Sequence, residues 1–319
     1  MSAQLITPLH IAGNITPNQQ ELLKNALHEA VERVHKTSLK NLDQQSIQIV
    51  LELEEKLKTE LTSAANKIIQ RLTRSDKYKE EETVSLREYP AAYRVKPIEA
   101  QVTELRKAFP TLGGCLEKLA RQPLPEDAEA WFAIPRWQAL APTYGEAVRL
   151  LIKVLEKRRK FSDRLTGNLS PKFLRQNERA RMAEQILFEQ QPGSEILVVA
   201  AQLGLLHRGC SARRARVVMA SHEFGLGSFA MGCILLTHPE RLSRADTLMI
   251  DCSGDEYSLR ADTIYDRVPL FDFDLSGIEF SVFYEDRARN LWGTPTGFTV
   301  NITEEKKAPV IASAVSPLL

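Results

Sequence analysis

A chain of 319 residues, 43% hydrophobic and 26% charged, has the composition of a folded globular protein with room for two modules or one long body, which excludes a low-complexity chain. A formal net charge of +1 excludes a uniformly cationic surface, though not charge segregated along the sequence. The stretch MSAQLITPLHIAGNITPNQQ has no basic segment followed by an apolar one, no run reaches the ~18 apolar residues of a membrane span, and the cysteines are scattered. The expectation is a cytoplasmic protein with reduced thiols and no membrane contact.

Thr16, Pro17 and Gln19 form a capping box with proline at the first helical position, and Leu23, Leu27, Ala30 and Val34 follow at helical spacing, predicting a helix from about Pro17 to Lys40. A second helix begins near Asp43, with Val50, Leu53, Leu57, Leu61, Ala64, Ile68 and Leu72 on one face. Their mean spacing of about 3.67 is that of a nearly straight helix, so the two elements read as a helical hairpin. The charged segment SDKYKEEETVSLREYPAAYRVKP, broken by Pro90 and Pro97, reads as a connector or edge strand. Helices then follow over 98–109, 112–121 and 144–159. Trp131 and Trp137, flanking Pro135, read as core anchors.

The run FGLGSFAMGCILL is apolar and helix-length, which marks a buried core helix; its glycines match neither nucleotide-loop pattern. After Leu248 the period falls to two: Phe271, Phe273 and Leu275, then Ile278, Phe280, Val282 and Tyr284, then Phe298, Val300 and Ile302 predict strands with one buried face. A two-residue turn at Ser276 and Gly277 pairs Leu275 with Ile278, Asp274 with Glu279, Phe273 with Phe280 and Asp272 with Ser281. The fold class expected is therefore α+β, with mostly helical amino-terminal and middle regions and a carboxy-terminal antiparallel β-sheet. The regions are a helical hairpin at 1–90, a helical core at 91–246, a β region packed on it at 247–303 and a tail at 304–319.

Charge is segregated along this order. Between Lys153 and Arg216 fourteen Lys and Arg face six acids, whereas between Asp246 and Asp286 eleven acids face Arg260 and Arg267. Two carboxylates directly opposite in a hairpin destabilise it unless something cationic covers them: the basic middle, a basic partner or a divalent metal. Ser211 is placed to cap a helix whose first turn holds Arg213 and Arg214, where the helix dipole disfavours cations; an anion at the helix mouth would reconcile the two. Arg208, Arg213, Arg214 and Arg216 are accordingly the candidate anion-binding residues.

His207 and Cys210 make only one close ligand pair, with His222, Cys233 and His238 further on, so no zinc site and no cofactor are expected. In MIDCSGDE, the residues Asp251, Cys252, Asp255 and Glu256 are placed for loop chemistry, with Cys252 as a nucleophile if His222 or His238 approaches it as base. The function expected is a non-enzymatic binding or assembly protein whose basic centre contacts a polyanion such as a nucleic-acid backbone, or an acidic protein, with self-association as a further mode. The competing expectation is a metal-dependent hydrolase or phosphoesterase using Asp251, Asp255 and Glu256 as ligands.

Overall fold

The computed structural model describes residues 17–37, 40, 42–62, 76–261, 263–274 and 277–300. The chain divides into two compact units, Met1–Thr73 and Arg74–Leu319. In the first, helix α1 covers Pro17–Thr37 and α2 covers Gln44–Glu52, resuming over 54–62 after a break at Leu53. Asp43 starts α2 by accepting from the Ser46 amide at 2.7 Å. Thr16, the continuation of the apolar row to Ala64, Ile68 and Leu72, and the tail at 304–319 lie outside the described residues.

The second unit mixes helices and two sheets. One sheet has the order β1 (Ala130–Pro135), β4 (Ile196–Gln202), β11 (Thr296–Phe298) and β5 (Glu223–Gly225), antiparallel throughout. In the other, β8 (Arg267–Asp274) and β9 (Gly277–Tyr284) form a long antiparallel pair, and β2 (Phe161–Asp163) adds parallel to β9. Along the far edge of β8 run β6 (Met249–Asp251) and β7 (Asp255–Tyr257), carrying β10 (Trp292–Gly293) and β3 (Leu174–Gln176) respectively.

The chain is α+β, but its strands are spread through it and do not gather at the carboxy terminus. The middle strands escaped the sequence reading for a physical reason: AWFAIP and ILVVAAQ are buried along their whole length, so neither shows the alternation that marks a half-buried strand. Strands from 161–176 and from 249–293 share one sheet, which joins the regions set apart as 91–246 and 247–303. The helix expected over 112–121 is only a short 3-10 turn, Glu117–Arg121.

Helices α3 (Ile98–Ala108), α4 (Tyr144–Arg158) and α7 (Ser228–Thr237) complete the core. Thr143 caps α4 through the Glu146 amide, and Val148, Leu151, Ile152 and Leu155 give it an inner stripe. Nearly every residue of α7 is buried, because α3, α4 and β1 all pack on it; each fully buried aliphatic side chain there contributes roughly 1.5–3 kcal/mol.

The β8–β9 hairpin corrects the expected register. Asp274 stands opposite Gly277, Phe273 opposite Ile278, and Asp272, not Asp274, opposite Glu279. Gly277 belongs to the strand, with φ of 123°, and a Cβ on it would come within 2.3 Å of the Lys160 carbonyl oxygen where β2 joins. The shift is two residues, so each side chain keeps the face that alternation assigned it.

Candidate functional site

Helix α6 (Ala212–Val218) starts as the sequence predicts, with the Arg214 amide donating to Ser211 Oγ at 2.9 Å. The anion at its mouth is the chain's own Glu81. Ser211 Oγ donates to Glu81 Oε2 at 2.6 Å, the Ser211 amide donates to the Glu81 carbonyl at 3.0 Å, and Arg213 pairs with the same carboxylate while lying 4.0 Å over the Tyr78 ring. Arg214 pairs with Glu82, Arg208 with Glu88 and Arg216 with Glu285. All four candidate anion-binding arginines thus hold carboxylates of this chain, three of them from the acidic connector after Asp76.

The acidic sheet finds its cover in the same way. Arg164 donates to Glu279 at 2.8 Å beside Asp272, and Arg175 donates to Glu256 at 2.7 Å across the β3–β7 pair. Burial, then the charges of Glu279 and Asp274, raise the Asp272 carboxyl above its ordinary range. Of the three covers considered from sequence, the basic middle segment supplies these contacts, and charge segregated along the chain is recombined by folding.

The candidate catalytic residues are engaged by separate partners. Glu256 serves Arg175, while Asp251 is buried and pushed up to about 7 by that burial, against the pull of Arg289 and Arg216. Cys252 is buried, its thiol raised well above the ordinary value by burial and by the charges of Asp255 and Asp251, the reverse of what a nucleophilic thiolate needs. His222 packs on Phe298, with 5.7 Å between ring centroids. Among the described residues no three His, Cys, Asp or Glu side chains converge as metal ligands.

Asp255 is the exception, because it meets partners that sequence reasoning did not foresee. Its Oδ2 accepts from the Ser228 amide at 2.7 Å and from Ser228 Oγ at 2.5 Å, and Tyr144 OH donates to Oδ1 at 2.8 Å. A carboxylate on the first residue of β7, just past the turn at Ser253 and Gly254, therefore caps α7 and ties it to α4. Arg216 secures that turn from behind, donating to the carbonyls of Ser253 and Asp255 at 2.9 and 2.7 Å, and Asn177 Nδ2 reaches Ser253 O at 2.6 Å.

Beside this joint lies a cavity of about 50 Å³, room for a few waters, lined by Trp137, Tyr144, Gln176, Glu184, Phe224 and Phe229 among others. Glu184 stands on helix α5 (Glu178–Gln190), started by Asn177 accepting from the Ala180 amide at 2.8 Å. Trp137 Nε1 donates to it at 3.2 Å, and Gln138 and Gln176 also reach it. Burial pushes Glu184 up to about 7, those donors oppose the shift, and the nearby Asp255 charge adds to it. The signal for Glu184 was present in the sequence: one acid within the inward stripe of Ala180, Ala183 and Leu187.

These carboxyls set a pH dependence. Folding raises Glu184 and Asp251 to about 7 and Asp255 to about 6, from ordinary values of 4.5 and 3.8. Between the two sets of values the folded chain holds protons that the unfolded chain has released, so their stabilisation is complete at acid pH and is lost as pH rises through 6 to 7. His238, lowered to about 4 by burial, acts oppositely, but only below its ordinary 6.5. Scanning calorimetry is expected to give a higher melting temperature at about pH 6 than at about pH 8; an increase with pH over that interval would contradict the assignment.

Comparisons with protein families, with curated proteins and with solved structures find no match to this chain. Among the described residues no helix is long and apolar enough to cross a membrane.

Proposed function

We propose that the chain is a non-enzymatic assembly protein of the cytoplasm that associates with a second copy of itself through the apolar face of its amino-terminal helices. The observation that carries this reading is the exposure of that face. Helix α2 buries none of its residues, and beyond it Leu53, Leu57 and Leu61 remain 50%, 40% and 51% exposed on the predicted stripe. A contiguous apolar row of this kind calls for a partner surface.

A second copy suits it on grounds of charge. Over the sequence 50–72 four acids, Glu52, Glu54, Glu55 and Glu60, are matched by four bases, Lys56, Lys58, Lys67 and Arg71, so this stretch carries no net charge with which to repel a second copy. The internal pairing of Arg208, Arg213, Arg214 and Arg216 favours assembly over polyanion contact, since binding a phosphate backbone there would first break those pairs. The dispersal of Asp251, Asp255 and Glu256 among separate partners gives the hydrolase reading no matching support.

Light scattering tests the proposal. The intact chain is expected at a multiple of 36.0 kDa, and the double variant Leu53→Asp, Leu57→Asp at the single-chain mass with the melting transition of the second unit retained. An intact chain at the single-chain mass would overturn it, and strong salt-dependent binding of duplex DNA would restore the polyanion reading in its place.

A further inference from the structure

The cavity beside Asp255 lies in the second unit and is independent of the self-association proposed above. Its chemistry is one-sided. Among the described residues no Lys, Arg or His lines it, and its walls are mostly aromatic and aliphatic. Glu184 is the carboxyl among its lining residues, and the groups that donate to it are neutral: the Trp137 indole and the amides of Gln138 and Gln176. Arg136 is near enough to feel the Glu184 charge, but its guanidinium donates to the Phe188 and Gln191 carbonyls and lies 4.1 Å over the Phe188 ring. Tyr144, also on the wall, directs its proton to Asp255.

A carboxyl held by neutral donors, a second carboxylate near enough to act on it and aromatic rings in the lining together suit a small organic cation, for which a ring face and a negative charge act in the same direction. We propose that this cavity binds the protonated amine of a small alkylamine, with Glu184 as counter-charge and Trp137, Tyr144, Phe224 and Phe229 as walls. The apolar lining takes the alkyl group, and the small volume restricts the ligand to a short chain. Binding requires Glu184 ionised, so affinity for an amine that stays protonated rises with pH across its titration. Asp255 and Arg136 act on its charge, Tyr144 shares the cavity wall with it, and Arg216 acts on Asp255.

The test uses ethylammonium chloride with the intact protein, followed by the Trp137 indole N–H resonance, assigned by its loss in Trp137→Phe; ethanol is the neutral comparator. Saturable shifts are expected with ethylammonium and none with ethanol, with affinity rising about tenfold from about pH 6 to about pH 8, as a carboxyl near 7 requires. Glu184→Gln should weaken binding by about tenfold or more. If that variant does not fold, Ala180→Leu, which fills the cavity from α5, should abolish the shifts. Equal binding of ethanol and ethylammonium, an affinity indifferent to pH and to Glu184→Gln, or the absence of a saturable shift would each overturn the proposal.

Discussion

Replacing Asp255 by alanine is expected to lower the melting temperature of the second unit by about 10 °C. The substitution removes the acceptor for Tyr144 OH, for Ser228 Oγ and for the first amide of α7, all of them within 3.0 Å in the native joint. Leaving such buried donors unpaired costs about 1–3 kcal/mol each, partly offset by removal of a buried charge, for a net of about 3–5 kcal/mol. Asp255→Asn keeps one acceptor oxygen and sheds the charge, so it should fall about half as far. Thermal denaturation of the three proteins side by side decides the matter: an alanine variant as stable as the native chain would mean that Asp255 does not hold α7 in place.

Gly254→Ala is expected to be as damaging through packing alone. A Cβ at this position would come within 2.3 Å of the Gly225 carbonyl oxygen and 2.6 Å of the Gly227 nitrogen. Both are backbone atoms on the segment that leads from β5 into α7, so no side chain can rotate to make room. The segment must shift as a whole, carrying Ser228 away from Asp255, at a cost of about 3 kcal/mol or more. Chemical denaturation should show a lower midpoint with an unchanged slope, and an unaltered midpoint would show that the two turns are not in close contact.

Much of this architecture was legible where periodicity is clean. The helices at Pro17, Asp43 and Tyr144, the cap at Ser211 and the alternating faces of β8 and β9 follow directly from spacing and turn chemistry. Arg213 and Arg214 in the first turn of α6 pair with Glu81 and Glu82, but nothing in a linear reading tells whether such arginines meet a ligand, the acidic sheet or a glutamate more than a hundred residues earlier. Glu81 fills the role because an apparently irregular connector folds back onto α6, an arrangement that only tertiary structure specifies. The charge blocks misled for the same reason. Opposite blocks distant in sequence became neighbours when β2 and β3 entered the same sheet as β7, β8 and β9.

The candidate site was legible in part. Asp255 was visible as a loop carboxylate, yet its partners Tyr144 and Ser228 belong to helices whose meeting is a property of packing. Cys252 looked reactive beside those acids, whereas burial and their negative charge hold it as a thiol. Strands β1 and β4 were invisible to a period-two test because both of their faces are covered, and their absence from the sequence reading concealed the sheet that walls the cavity.

Sedimentation velocity of the intact protein over a roughly 100-fold range of concentration measures the central claim most directly, because an assembly held by noncovalent helix contacts must dissociate by mass action. Larger species that give way to the single chain on dilution, and that vanish when Leu53 and Leu57 become aspartate, are the predicted result. A single boundary of one chain mass at every concentration would contradict the account.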